Sequence, residues 1–152
     1  MTIPTSARVI WRAGLIDGEG CMYVRFTNQG RYNTPHGSMG SLETRVEIHS
    51  VSTRMIDEVQ SIYEELGLYY DRQSPKNQPL STRPAIRIVV RRRGSVVQLL
   101  QAIRPFLKVK EREADAIIDF FTLHPRESVG QRSTTEQRQT LVDSVKQLKR
   151  IA

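Results

Sequence analysis

The sequence is short of sulfur, histidine and acid, and each shortage removes a class of function. A single cysteine, Cys21, in 152 residues leaves no disulfide framework and no cysteine-rich zinc site. The three histidines are scattered and build no ligand cluster. No apolar run is long enough to span a bilayer, and the opening MTIPTSARVIW lacks the long apolar core of a signal peptide, so a soluble, intracellular protein is expected. Sixteen Asp and Glu face 23 Lys and Arg, a net charge of +7 that favours a polyanionic partner. The stretch from Ser81 to Glu113 carries nine Lys or Arg against two Glu, a surplus equal to that of the whole chain. A merely solvated surface interleaves its signs, so this clustering favours nucleic acid.

What is present organises as one domain over 1–152, with a core at about 5–123 and a last helix at about 134–151. Pro4, Thr5 and Ser6 open an apolar helix running to about Asp17. CMYVRFTNQ then alternates, with Met22, Val24 and Phe26 on one face and Tyr23, Arg25 and Thr27 on the other. A Gly/Pro/Asn-rich loop, GRYNTPHGSMGS, leads to LETRVEIHS, where Leu42, Thr44, Val46 and Ile48 turn inward and Glu43, Arg45, Glu47 and His49 outward. Ser52 caps a helix with apolar positions Met55, Ile56, Val59, Ile62, Tyr63 and Leu66, and Gly67 ends it. LYYDRQ reads as a short strand, SPKNQPLSTRP as a loop, and AIRIVVRRR as a strand with Ile86, Ile88 and Val90 on one face. A helix from Gly94 to before Pro105 follows, then VKEREADAIIDFFTLH and TEQRQTLVDSVKQLKRI, the last behind the capping box Ser133-x-x-Glu136. The order is αββαββα plus C-terminal helices, an α+β fold with antiparallel hairpins.

An antiparallel sheet packs one face on helices and leaves the other to solvent. The open face is expected to carry Arg25, Thr27, Gln29, Glu43, Arg45, Glu47, Arg72, Arg87, Val89 and Arg91, with Tyr32 in the first loop beside it. Arginine reads guanine bidentately and Glu accepts from cytosine N4, so such a face suits base edges as well as phosphates. Strands of roughly ten residues at ~3.3 Å each reach ~33 Å, about ten base pairs of groove. A solvated sheet face fits the same alternation; the arginine density tilts the reading toward double-stranded DNA.

The first helix ends in RAGLIDGEG, three glycines and two acids in nine residues. Gly14 and Gly18 lie four apart on one helix face, where absent side chains let another helix approach closely. A tight core helix closed by a glycine turn explains that much. It does not explain Glu19 on a glycine-flanked turn at the end.

AGLIDGEG resembles the signature of the LAGLIDADG homing endonucleases, and the αββαββα order extends the resemblance over most of the chain. PFLKVKEREADAI is similar to the segment that supplies a basic residue to the active site in the single-motif group. The resemblance implies a homodimer whose motif helices meet at a dyad through Ala13, Gly14, Asp17 and Gly18. It implies that Glu19, with the Gly18 carbonyl, binds a divalent metal, so that one carboxylate per chain becomes two per site. By the same resemblance Lys110 stands near the scissile phosphate, Ser50 where a polar residue orients water, and Arg54 where a basic residue joins that network. The implied cofactor is Mg²⁺, with Mn²⁺ as an alternative and Ca²⁺ as a non-catalytic substitute. Hard divalent cations on carboxylate and carbonyl oxygens suit phosphodiester hydrolysis, which then needs no histidine base.

Three positions depart from the signature. Arg12 stands where it begins with Leu, so its charge must leave the interface or reach solvent or DNA. Gly18 replaces Ala, and Glu19 replaces Asp at the cost of one extra methylene in reach. Asp17 reads as structural, holding the helix end or the dimer seam; Trp11 and Tyr63 read as core, and Cys21 as a small strand residue. His49 faces the expected DNA side, Arg92 is placed to meet a phosphate or nothing, and Lys108 with Lys110 also fits a solvated pair. The resulting expectation is a site-specific, metal-dependent homing endonuclease acting as a homodimer on a long, roughly palindromic site of about 20 base pairs. The competing readings are a DNA-binding regulator of the same fold that no longer cuts, and a maturase that assists intron splicing on RNA.

Overall fold

The computed structural model describes residues 6–27, 41–74, 85–124 and 135–151. The elements run α1 (Ser6–Glu19), β1 (Gly20–Thr27), β2 (Ser41–Ser50), α2 (Thr53–Glu65), β3 (Asp71–Gln73), β4 (Ile86–Val90) and α3 (Arg93–Ile103). A 3-10 turn at Arg104–Phe106 leads to α4 (Glu111–Leu123), and α5 (Thr135–Ile151) closes the chain. This is the expected α+β class in the expected order. Gln29, Tyr32 and Ser133 lie outside the described residues, as does most of both loops.

The four strands form one antiparallel sheet in the order β1-β2-β4-β3. Met22 pairs with Val46 and Val46 with Val90, so one apolar row crosses three strands; all three side chains are fully buried or nearly so. Ile16 of α1, Ile56 and Val59 of α2, and Leu99 and Leu100 of α3 pack with that row in a continuous core. Burying each such side chain contributes about 1.5–3 kcal/mol. Leu141, Val142 and Val145 attach α5 to the same core.

Helix ends follow their local chemistry. Ser52 is extended, and its Oγ accepts from the Met55 N–H at 3.2 Å, starting α2. Gly67, at φ 69°, ends that helix: its N–H reaches the Glu64 carbonyl and the Leu68 N–H the Tyr63 carbonyl, the two bonds of a Schellman motif. The strand read at LYYDRQ shrinks to Asp71–Gln73 for a related reason. Leu68 is spent on the helix end, and the Tyr69 N–H donates to Ser95 Oγ at 3.0 Å rather than to a strand. At the other end of the fold α1 outlasts its expected stop at Asp17, running through Gly18 to Glu19 before β1 begins at once.

Candidate functional site

Helix and strand meet at Glu19–Gly20 with no linker between them. Such a junction requires close backbone approach, and Gly20 provides it: a Cβ there would stand 2.7 Å from Ile16 Cα and 2.9 Å from the Ile16 carbonyl oxygen. Glu19 and Gly18, one residue before it, are both exposed. The β1–β2 register pairs Gly20 with Ile48, so Ser50 lies two residues further, where β2 runs past the turn. Ser50 Oγ accepts from the Ser52 N–H at 3.0 Å, and Arg54 is exposed in the first turn of α2.

The segment before α4 closes on this turn. Lys110 Nζ donates to the carbonyls of Ile16 at 2.6 Å, Asp17 at 3.0 Å and Gly20 at 2.6 Å. The Asp17 carboxylate accepts from the backbone N–H of Lys108 at 2.6 Å and of Lys110 at 2.9 Å. Asp17 therefore holds the helix end, and Lys110 is no solvated partner of Lys108. Behind them Glu113 of α4 is buried, with Oε2 lacking a hydrogen-bond partner among the described residues. Burial pushes its carboxyl up, against the opposing pull of Lys149 and Lys110.

The faces of α1 separate cleanly. Val9, Arg12, Ala13 and Ile16 turn into the chain's own core, whereas Ile10, Trp11, Gly14 and Gly18 are exposed. A Cβ built on Gly14 or Gly18 meets nothing within 4 Å. Two expectations change here, the first being that Ala13, expected at the dimer seam, lies fully buried in the chain's own core, on the opposite side of α1 from the glycine stripe. Trp11 is not core, being 41% exposed beside the glycine stripe. Arg12 leaves the exposed stripe, one of the two outcomes expected for its charge, by turning inward: it is fully buried, none of its guanidinium nitrogens has a hydrogen-bond partner among the described residues, and its guanidinium lies 4.8 Å from the Tyr63 ring centroid. Burial pushes that guanidinium down to about 9. The helical period puts position 12 on the same side as 9 and 16, so the arginine follows its backbone inward.

On the open sheet face the register lines up Cys21–Glu47–Val89–Asp71 as one row and His49–Arg87–Gln73 as the next. Its acids are paired with arginines. Arg25 reaches Glu43 at 2.9 Å, Arg45 also bonds Glu43, and Arg91 lies 3.4 Å from Asp71. Partial burial works to raise the Glu43 carboxyl, but the bonds from Arg45 and Arg25 outweigh it and hold it below the usual carboxylate range. Glu47, expected outward and exposed, points outward but is buried, with His49 at 3.2 Å and Arg87 at 3.9 Å from its carboxylate. Val89 is likewise fully buried on this face.

Arg72 leaves the set. It pairs with Ile88, a core-facing residue, and donates at 2.7 Å to both Asp57 and Gln60 of α2. The basic run from Ser81 to Glu113 is not one patch either: Arg87 and Arg91 lie on the sheet face, Arg92 stacks on Tyr69, Arg93 on Phe121, and Arg104 pairs with Asp115. A residue the sequence left unplaced comes in instead. Lys149, in the last turn of α5, lies 4.8 Å from the Tyr23 ring centroid and 3.8 Å from Cys21 Sγ, so the last helix reaches the outer side of β1. The basic last turn of an otherwise amphipathic helix was the only signal for it.

No family model matches the chain, and no curated protein matches it. Solved structures do. The homing endonuclease I-CvuI, in complex with the I-CreI target in the presence of 2 mM Mg with its DNA uncleaved, superimposes with a TM-score of 0.67 and 18% identity over 93% of this chain and 82% of that one. The same enzyme was also determined with its own target in the presence of 2 mM Ca. The archaeal intron-encoded I-Vdi141I, complexed with DNA, gives 0.67 and 19% over 96% of this chain and 84% of that one. The group I intron-encoded I-CeuI, also complexed with DNA, gives 0.60 and 9% over 95% and 69%. The arrangement of four strands and five helices is thus that of the LAGLIDADG homing endonucleases, and the chain has their fold.

Proposed function

We propose that the chain is a divalent-metal-dependent, site-specific DNA endonuclease that works as a homodimer. The observation that carries this reading is the exposed stripe of α1, in which Gly14 and Gly18 have open space above them and lead directly to the exposed Glu19. A second copy of α1 laid on that stripe brings two Glu19 carboxylates together. Among the described residues no three His, Cys, Asp or Glu gather in a way that could hold a metal ion. On this reading one chain offers half a site, hard oxygen donors from Glu19 and the Gly18 carbonyl, and that donor set suits Mg²⁺, Mn²⁺ or Ca²⁺. When bound, such a cation supplies charge neutralisation at the phosphodiester and a water of lowered pKa.

The chain's own groups do the rest. The sheet face around Arg25, Arg45, Arg87 and Arg91 lies against the DNA, its acids already paired so that the arginines can re-partner with base edges and phosphates. Ser50 and Arg54 stand at the end of β2 and the start of α2 to order water near the scissile bond. Lys110 places a positive charge at the helix end. Support from outside comes from the DNA-bound state of I-CvuI, I-Vdi141I and I-CeuI, and from Mg and Ca in the I-CvuI crystals.

The test is cleavage of a randomised double-stranded DNA library with Mg²⁺, followed by sequencing of the cut ends. The expected products share a roughly palindromic site, and Glu19→Gln binds that site without cutting it. Binding without nicking under any divalent ion overturns the enzyme reading in favour of a DNA-binding regulator. Selective binding of structured RNA in place of duplex overturns it in favour of a maturase.

A further inference from the structure

Asp17 and Lys110 bond to each other's backbones. The Lys110 ammonium has three N–H groups and spends them on three carbonyls, those of Ile16, Asp17 and Gly20. The carbonyls of Ile16 and Asp17 belong to the last turn of α1, whose carbonyls have no partner within the helix, and a cation there complements the helix dipole. In return the Asp17 carboxylate takes the N–H groups of Lys108 and Lys110 just where α4 begins, at the end of a helix that favours negative charge. Each side chain therefore caps the helix that the other belongs to or opens.

The bonds are distributed around the acidic residue. They pin positions 16, 17 and 20, while among the described residues no side chain donates to the Gly18 carbonyl and Glu19 stays exposed. The two groups offered to a metal are thus left open between pinned neighbours. A Lys110 whose three donors are engaged has none to give a phosphate unless the helix end is released.

We propose that Asp17 and Lys110 are positioning residues forming one latch. The latch fixes the Gly18–Glu19 turn against the 108–110 segment, and Lys110 serves the reaction through the helix end and not through the phosphate. The consequence for cleavage rests on the endonuclease reading; the latch itself does not.

The experiment uses the full chain with Asp17→Ala, Lys110→Met and the double variant, and Asp17→Asn as a milder change that keeps one acceptor oxygen. Thermal unfolding without DNA or metal is measured first. Both single variants melt lower, and the double variant melts no lower than the worse single, because either change opens the same latch. Cleavage is then followed against Mg²⁺ concentration. The Mg²⁺ midpoint rises about 10- to 100-fold in both single variants, as is usual when groups supporting a metal ligand are removed, and not further in the double. DNA affinity in Ca²⁺ stays near that of the wild type. Additive losses of melting temperature overturn the latch. A Lys110→Met variant with an unchanged Mg²⁺ midpoint and a lower rate at saturation overturns the positioning role and returns Lys110 to the phosphate. If the wild type cuts no DNA, the endonuclease reading fails and takes the catalytic consequence with it, while the unfolding cycle still decides the latch.

Discussion

The Arg12 guanidinium rests 4.8 Å from the Tyr63 ring centroid with all of its nitrogens buried and without a hydrogen-bond partner among the described residues. A desolvated cation–π contact returns about 2 kcal/mol, against a desolvation penalty of several kcal/mol for an ion taken out of water. The penalty wins. Arg12→Leu, which fills the same core position with an apolar side chain, is expected to stabilise the chain by about 1–4 kcal/mol in urea denaturation. A loss of stability would show instead that the stacking on Tyr63 outweighs the buried charge.

Glu113 carries a pH dependence of determinable sign. Burial raises its carboxyl above the ordinary value, and the attraction of Lys149 and Lys110 does not cancel that. A raised folded value means that the folded chain holds the proton more tightly than the unfolded chain. The stabilisation from protonated Glu113 is complete below the ordinary carboxylate range and is lost as pH rises through the raised value. Glu113→Gln keeps the neutral form at every pH. The variant should match the wild type near pH 4 and exceed it at pH 7, with groups common to both cancelling in the difference. A variant less stable than the wild type at pH 7 would mean that the two lysines govern the site.

The sheet register sorts the arginines into two populations that salt dependence can tell apart. Arg25 and Arg91 lie on the outer face, whereas Arg72 is turned toward Asp57 and Gln60. If the outer face meets phosphates, Arg25→Ala and Arg91→Ala each flatten the plot of log affinity against log salt by about 1. Arg72→Ala leaves that slope unchanged and costs about 0.2–1 kcal/mol of stability, the ordinary worth of a partly exposed pair. Equal slopes for all three variants would remove DNA from the outer face.

The alternation of β1, β2 and β4 was legible because the core face imposes a period of two, and Met22, Val46, Ile88 and Val90 are buried as that period requires; the burial of Glu47 and Val89 on the other face was not legible, because it does not follow that period. The caps at Ser52 and Gly67 were legible because they satisfy backbone groups locally. Arg72 was misplaced because β3 is too short to fix a face by pattern, and only its pairing with Ile88 does so. Charge clustering between Ser81 and Glu113 looked like one surface because a sequence count ignores direction; Arg93, Arg104 and Lys110 turn to contacts within the chain. The acidic helix end was visible in RAGLIDGEG, but its pinning was not. The bonds from Asp17 to Lys108 and Lys110 join residues more than 90 positions apart, and no local pattern encodes them.

The glycines of the motif stand in two different surroundings, and alanine separates them. At Gly20 a Cβ would stand 2.7 Å from Ile16 Cα, backbone against backbone, so nothing flexible can yield. Gly20→Ala should therefore cost about 1–3 kcal/mol of folding stability and disturb the turn that carries Glu19. At Gly14 and Gly18 an added Cβ has nothing within 4 Å. Within a single chain Gly14→Ala should stabilise α1 by about 0.5–1 kcal/mol, because alanine loses less backbone freedom in a helix interior. In a dimer whose α1 helices meet at these glycines the same methyl groups overpack the seam, and a cost of about 1.4 kcal/mol raises the dissociation constant tenfold. Sedimentation of Gly14→Ala and Gly18→Ala against concentration decides the matter. Weaker self-association with unimpaired folding places a second copy on this stripe, and unchanged association takes it away.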